Sequence, residues 1–340
     1  MAKKTTTATD GLGISGAEAM DLLRLMLRIR RFEQRTEKLF KAGEIPGFIH
    51  LCIGQESIPA GVVGFLEPTD RITATHRGHG HILGKGADMG PMMAELMGKD
   101  NGYCRGKGGS MHIFSIDLGV LGANGILGAG QPIAVGAALS AQLRNTDEVA
   151  VTFFGEGASA QGAVHEAMNL AAIWKLPVVF IAEVNGFAEL TPYDVHVSVD
   201  SLAKRGASYG IPAEVVDGED VIAVRLAARR LVQAARQGEG PQMLEIRVHR
   251  WSGHFIGDTQ RYRDPDELAS VTERDPIAGL IDRLTVVGAL EPNALEELEA
   301  EIAFEVEEAV AFGRAGALPA PQAAMDHVYA NPMGTAGEGR

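Results

Sequence analysis

Only two cysteines occur, Cys52 and Cys104, far apart and without a Cys-x-x-Cys spacing. Neither a disulfide framework nor a structural zinc site follows from them, and a reducing compartment, the cytoplasm, fits best. No apolar run reaches the roughly 18 residues that a membrane-spanning helix needs. Stretches such as Val178 to Ile181 are of strand length and end in turn residues. Positive charge is also scarce: 31 Lys and Arg stand against 44 Asp and Glu, a formal charge of -13 that repels phosphate backbones and anionic membrane surfaces. Neither nucleic acid nor a membrane is an expected partner. Met1 to Asp10 is Thr-rich but lacks an apolar segment, so it reads as a mobile tail and not as a secretory signal.

What is present is ordinary globular material. Hydrophobic residues make up 46% and charged residues 22%, which excludes disorder over most of the length. The 340 residues suit two domains of about 150 each, or one large α/β domain with appendages. Leu22, Leu23, Leu25, Met26, Ile29, Phe32 and Leu39 recur at helical spacing, so Ala17 to Lys41 reads as an amphipathic entry helix that Gly43 ends. Pro46 to Gly130 is rich in Gly and His and has few periodic runs apart from a short helical piece at Met92 to Met97. It reads either as loop-built binding surface or as poor folding material.

Beyond it the pattern alternates. Strands are expected at Glu148 to Phe154, Pro177 to Glu183, Ala213 to Val216 and Gln242 to His249, and helices at Gln161 to Trp174, Leu202 to Tyr209 and Val221 to Arg236. Strict alternation predicts the α/β class: a parallel sheet covered by helices on both faces, with ligands outside the carboxyl ends of the strands. Loops 155–160 and 184–192 must emerge there. A Glu-rich helix from Leu295 to Phe312 and a Gly- and Pro-containing tail close the chain. The expected organisation is a mobile tail (1–16), the α/β domain (17–270), a helical C-terminal region (271–330) and a terminal tail (331–340). There is no internal repeat.

Two loops carry chemistry. Gly155-Glu156-Gly157 follows a buried strand, and Asn185-Gly186-Phe187 follows the next strand about thirty residues later. Glycines allow close backbone approach, and the amides of Gly157 and Ala158 face the space before the following helix, where a diphosphate could sit. One carboxylate, one amide oxygen and one carbonyl form half the oxygen shell of a magnesium ion, which takes phosphate oxygens and water for the rest. A Gly-x-Gly after a strand is by itself also read as a plain turn. The pairing of the two loops favours the site.

That spacing, together with Gly162-Ala163-Val164-His165-Glu166-Ala167-Met168-Asn169-Leu170-Ala171-Ala172-Ile173-Trp174-Lys175-Leu176-Pro177, Gly106-Lys107-Gly108-Gly109-Ser110-Met111-His112 and Gly122-Ala123-Asn124-Gly125-Ile126, resembles the alpha subunits of the thiamin diphosphate-dependent first component of 2-oxo acid and acetoin dehydrogenase complexes. The likeness runs from about residue 20 to about 330. It implies the thiamin diphosphate-binding fold, with an N-terminal helix and a C-terminal helical extension. It also implies thiamin diphosphate and Mg2+ as cofactors, with Glu156, Asn185 and the Phe187 carbonyl as metal ligands. Glu156 stands where the family usually has Asp, and Val184 where it has the first Asn of a pair.

By the same resemblance Arg77, in Thr75-His76-Arg77-Gly78-His79-Gly80-His81, grips the terminal phosphate, and His76 donates to phosphate where pyruvate-type sequences often carry Tyr. Gly125 and Leu127 face the aminopyrimidine; Gly155, Gly157 and Ala158 bound the diphosphate. His254 lies near the diphosphate and the reacting carbon, and His50 matches another active-site histidine; both are the candidate catalytic residues. Phe255 and Arg261 occupy places that hold regulatory serines in mammalian pyruvate dehydrogenase, so kinase control is not expected there. The runs His76 to His81, Asn101 to Cys104, Asn185 to Glu189 and His254 to Asp258 look more like acetoin than pyruvate dehydrogenase. The implied reaction is thiamin-dependent cleavage of a small ketone, acetoin favoured, with the acetyl unit passed to lipoyl on a dihydrolipoyl acyltransferase. The carboxylate that activates the cofactor lies on a separate beta subunit in this family, and no second α/β domain is present here, which points to an α2β2 heterotetramer. Two other readings are a pyruvate dehydrogenase alpha subunit and a diverged, non-catalytic alpha-like subunit.

Overall fold

The computed structural model describes residues 11–291 and 293–328. The expected tails fall outside these residues except for 11–16, where Leu12 and Ile14 are buried in the core, so the ordered body begins ahead of position 17.

Helix α1 (Gly16–Lys41) starts at Ser15, whose hydroxyl accepts the Glu18 amide, and ends with Lys38 and Lys41 in its last turn. Both ends suit the helix dipole. Its apolar stripe, Leu22, Leu23, Met26, Ile29 and Phe32, is fully buried. A π-helical turn (Pro59–Val63) precedes β1 (Arg71–Thr75), α2 (His79–Gly84), α3 (Met89–Leu96) and β2 (Val120–Asn124). Then come α4 (Gly130–Arg144), β3 (Ala150–Gly155), α5 (Gly162–Trp174) and β4 (Val178–Val184). A small hairpin, β5 (Phe187–Ala188) with β6 (Thr191–Pro192), leads to α6 (Tyr193–His196), α7 (Ala203–Ser208), β7 (Ala213–Asp217), α8 (Val221–Arg236) and β8 (Gln242–Arg247). Helices α9 (Pro265–Ser270), α10 (Pro276–Val286) and α11 (Ala294–Ala315) follow.

Six strands form one parallel sheet in the order β2-β1-β3-β4-β8-β7. β4 is buried at every position, as a central strand covered on both faces must be. One core packs α8 against one side of the sheet and continues through α1 and α3 to the C-terminal helices, α10 on α1 and α11 on α3 and α1; a second packs α4, α5 and α7 on the other side. The α/β architecture, a parallel sheet covered by helices on both faces, thus stands as expected. One expectation needs refining: the stretch 46–130 does supply loop-built surface, at Gln55, His76, Arg77 and Leu127, which line a crevice, but it is not loop alone. It contributes two strands, one of them, β1, an interior strand of the sheet. These strands escaped notice because Arg-Ile-Thr-Ala-Thr and Val-Leu-Gly-Ala-Asn are five residues each and lack the Val, Ile and Phe runs of β3 and β4. Among the described residues no helix is long and apolar enough to cross a membrane.

Candidate active site

The chain passes from β1 outward to β2 and then returns to the other side of β1 as β3, so the strand order reverses between β1 and β3. Loops leaving the carboxyl ends of those two strands diverge and open a crevice, the usual ligand position in a doubly wound sheet. The crevice is lined by Thr75, His76 and Arg77 after β1, Leu127 after β2, Gly155 to Ala158 after β3, Glu183 and Asn185 at the end of β4, and Arg250 and His254 after β8. Phe187, Ala188, Glu189 and Gln55 complete it. Loops distant in sequence thus converge.

Two glycine requirements shape the loops. Gly186 has φ of +91°, the left-handed region, which lets the chain turn sharply out of β4. At Gly157 an added Cβ would lie 3.2 Å from the Ala188 Cβ, so only glycine lets the two loops touch without a shift. The Glu156 side chain is buried and its Oε1 accepts the Asn185 amide at 3.1 Å. Asn185 Oδ1 accepts the Phe187 amide at 3.3 Å, and its Nδ2 donates to Gln55 Oε1 at 3.3 Å. Burial pushes the Glu156 carboxyl up to about 7.

The charge balance is unusual. Arg77 is buried, yet its guanidinium donates only to the carbonyls of Leu51 and His254. Arg250, also buried, donates to the Glu189 carbonyl at 3.0 Å and the Tyr262 hydroxyl at 2.6 Å, with a longer contact of 3.4 Å to His254 Nδ1. Neither has a carboxylate partner among the described residues. Burial, reinforced by Arg250, lowers Arg77 to about 10. Three imidazoles sit beside these cations: His50 is 4.4 Å from His76 and 5.0 Å from His254, centroid to centroid. Burial first and Arg77 second push His50 down to about 3 and His254 to about 4, and push His76 lower still, so all three are neutral at pH 7. Both ring nitrogens of His76, Nδ1 of His50, Nε2 of Gln55 and Nε of Arg250 are buried without a partner. The three imidazoles lie close enough to ligate a metal. Two adjacent guanidiniums make the cluster suited to an anion instead.

A larger cavity of about 630 Å³ lies next to the crevice, at the carboxyl ends of β4, β7 and β8, and shares Asn185 with it. Its charged groups satisfy one another, as in Glu219 with His249 at 2.7 Å and Glu245 with Arg247 at 2.8 Å. The crevice holds only about 60 Å³ of free space but has the unpaired cations and orphan donors. Chemistry, not size, marks it as the site.

Of the residues singled out from the sequence, His76, Arg77, Leu127, Gly155, Glu156, Gly157, Ala158, Asn185, Phe187 and His254 line the crevice. His50 stands behind His76 and His254 and does not line it. Gly125 also lies outside the lining, beside the His112 ring. Sequence reasoning missed Arg250, Gln55 and Glu183. An arginine leaving the carboxyl end of an apolar strand, four residues before a flagged histidine, was the available signal for Arg250.

The glycine-rich segment 104–110 has a different task. Glu95, wholly buried on α3, accepts the amides of Cys104 (2.8 Å) and Gly106 (2.9 Å) on one oxygen and those of Gly108 (2.8 Å) and Gly109 (3.0 Å) on the other. The chain's own carboxylate thus fills what would otherwise be an anion cradle. Ser110 Oγ then lies 2.8 Å from Nε2 of His79, whose Nδ1 is 3.0 Å from Glu33.

A sequence profile of the family described as dehydrogenase E1 component matches residues 24–322. The chain is 44% identical to the alpha subunit of acetoin:2,6-dichlorophenolindophenol oxidoreductase of Bacillus subtilis, over 94% of this chain and 96% of that one. It is 43% identical to the subunit of the same name from Cupriavidus necator, over 97% and 99%. Its identity to the pyruvate dehydrogenase E1 component alpha subunit of Zymomonas mobilis is 42%, over 90% and 86%.

Proposed function

We propose that this chain, which belongs to the dehydrogenase E1 component family, is the alpha subunit of a thiamin diphosphate-dependent enzyme that cleaves acetoin and passes the acetyl unit to lipoyl. The observation that carries the reading is the pair of buried guanidiniums, Arg77 and Arg250, without carboxylate partners and beside imidazoles with orphan nitrogens. Buried cations left unpaired are costly, and a diphosphate supplies the missing charge and acceptors together.

In this reading the Arg77 fork holds the terminal phosphate and His76 and His254 donate ring N–H groups to it. The amides of Gly157 and Ala158 would bound the diphosphate, with Gly155 at the end of β3 beside them. Leu127 would pack against the aminopyrimidine, and Gly125, outside the crevice lining, would present its backbone to that ring. The Glu156 carboxylate, the Asn185 amide oxygen and the Phe187 carbonyl are hard oxygen donors of the kind Mg2+ takes and would hold it; burial favours the protonated Glu156, so metal affinity would rise with pH. When bound, thiamin diphosphate supplies the electron sink that lets a carbon–carbon bond next to a carbonyl break. His254, which lines the crevice, would hydrogen-bond a ketone oxygen or position lipoyl as a neutral imidazole, and His50, behind it at 5.0 Å between ring centroids, would support it. Acetoin is favoured over pyruvate by the names of the two relatives at 44% and 43% identity.

The partners in this reading are a beta subunit, which completes the cofactor site in an α2β2 heterotetramer, and a lipoyl-bearing dihydrolipoyl acyltransferase. Calorimetric titration of thiamin diphosphate and Mg2+ into the alpha–beta complex tests the site. Arg77→Met is expected to weaken binding by roughly 10²–10⁴-fold, since two charge-assisted hydrogen bonds of ~1.5–3 kcal/mol each disappear. Unchanged affinity in that variant, or none in the wild type, overturns the reading.

A further inference from the structure

Gln55 lines the crevice and is only 4% exposed, yet most of its hydrogen-bonding capacity is unused. A side-chain amide has two hydrogens to give and an oxygen with two lone pairs. This one makes a single long bond, in which Oε1 accepts Asn185 Nδ2 at 3.3 Å, and its Nε2 is buried without a partner. A buried donor left unmet is costly, and an apolar side chain of the same length would avoid the cost.

The backbone beneath this amide is fixed. Gln55 N donates to the Cys52 carbonyl at 3.0 Å, and the Gln55 carbonyl accepts the Ile58 amide at 3.1 Å. Its neighbours are anchored as well: Glu56, wholly buried, accepts the Gly54 amide at 3.0 Å and pairs with Arg30 of α1. The Arg30 guanidinium lies 4.4 Å from the centre of the Trp251 ring, and a Cβ on Gly54 would come within 2.4 Å of that same ring. The segment is thereby clamped against the residues that follow β8. A polar group held on a rigid base, with its donor end unmet inside a crevice, is preorganised for a ligand.

The bond to Asn185 also has a direction. With Nδ2 given to Gln55, Oδ1 is the end that takes the Phe187 amide, at 3.3 Å, and it keeps a second lone pair. Turned over, Asn185 would offer an NH2 group where a cation needs an oxygen. Partners behind a metal ligand set its orientation and, through it, the affinity of the metal.

We propose that Gln55 is the positioning residue of the metal and diphosphate site: its Oε1 fixes the Asn185 amide so that the oxygen meets Mg2+, and its Nε2 donates to the diphosphate. The inference rests on the alpha-subunit reading above and adds to it a residue that the sequence motifs did not mark. Two substitutions part the two tasks. Glutamate of the same length accepts from Asn185 Nδ2 but has no hydrogen to give, and it brings a further carboxylate to a crevice that already holds Glu156 and Glu183. Methionine performs neither task.

The test uses the full chain in complex with its beta subunit, and both readouts are binding, not turnover. Thiamin diphosphate is titrated calorimetrically at saturating Mg2+, and Mn2+ is titrated by electron paramagnetic resonance with thiamin diphosphate held above its own dissociation constant for each variant. Gln55→Glu and Gln55→Met are each expected to weaken thiamin diphosphate by about tenfold or more, the loss of one hydrogen bond to a charged group. Gln55→Met is expected to weaken Mn2+ by about tenfold or more as Asn185 loses its orientation, whereas Gln55→Glu holds the metal at least as tightly as the wild type. Without cofactor and metal, both variant complexes are expected to melt with the wild type, since the orphan donor that disappears offsets the one long bond. The proposal stands only if both differences appear. Equal loss of Mn2+ in the two variants, or a lower melting temperature of the unloaded complexes, makes Gln55 a structural residue and overturns it, as does wild-type affinity for both ligands. A wild-type complex that binds no thiamin diphosphate takes the alpha-subunit reading down with it, whereas wild-type binding with indifferent variants removes this inference alone.

Discussion

Glu95→Gln tests whether the carboxylate on α3 builds the glycine-rich loop. In the wild type each carboxylate oxygen accepts two backbone amides, at 2.8 and 2.9 Å on one side and 2.8 and 3.0 Å on the other. The substitution keeps one oxygen and turns the other into an NH2 that faces two N–H donors. Two hydrogen bonds to a charged group are lost, at ~1.5–3 kcal/mol each, so the expected destabilisation is ~3–6 kcal/mol. That is a large part of the ~5–15 kcal/mol by which a typical domain is stable. Urea unfolding monitored by circular dichroism reads the global part. Hydrogen exchange at Cys104, Gly106, Gly108 and Gly109 reads the local part, and Ser110 should lose its contact with His79 as the loop opens. A variant that unfolds within about 1 kcal/mol of the wild type, with those four amides equally protected, would refute the reasoning.

Further outcomes follow from the crevice and the thiols. Glu156→Ala and Asn185→Ala are each expected to abolish Mg2+-dependent cofactor binding, and Glu156→Asp to preserve or tighten it; calorimetric curves unchanged in the alanine variants would move the metal site elsewhere. Burial pushes the Cys104 thiol up to about 11, so at pH 8 only about one molecule in a thousand carries the thiolate there, and Cys52 is wholly buried and raised as well. A disulfide reagent should therefore modify Cys104 slowly and Cys52 only on unfolding, and rapid labelling of both in the native chain would contradict the burial.

What the sequence disclosed, and what it did not, has a physical pattern. β3 and β4 were legible because strands buried on both faces need continuous Val, Ile and Phe. α8 was legible because its apolar stripe alternates with arginines. β1 and β2 were not, since pairing at the centre and edge of the sheet, and not composition, makes Arg-Ile-Thr-Ala-Thr and Val-Leu-Gly-Ala-Asn into strands. In the site, Glu156, Asn185 and Arg77 could be flagged by short motifs at recognisable spacing. Gln55 could not, because it matters through Asn185, 130 residues away in sequence; Arg250 had only the weak signal of its place after an apolar strand, since its partner Glu189 lies 61 residues away and only the folded sheet brings the two within reach. The role of Glu95 was hidden for the same reason in miniature: nothing in the segment Met89 to Leu96 announces that a glutamate there will staple a loop ten residues later.

The most direct test of the central claim is a side-by-side assay of the reconstituted alpha–beta complex, loaded with thiamin diphosphate and Mg2+ and coupled to an artificial electron acceptor. Specificity constants are measured for acetoin, pyruvate and branched 2-oxo acids, with the alpha chain alone as control. The account predicts turnover that needs both subunits and the cofactor, with acetoin the preferred substrate. Turnover by the alpha chain alone, or none by the loaded complex on any of these substrates, would contradict it.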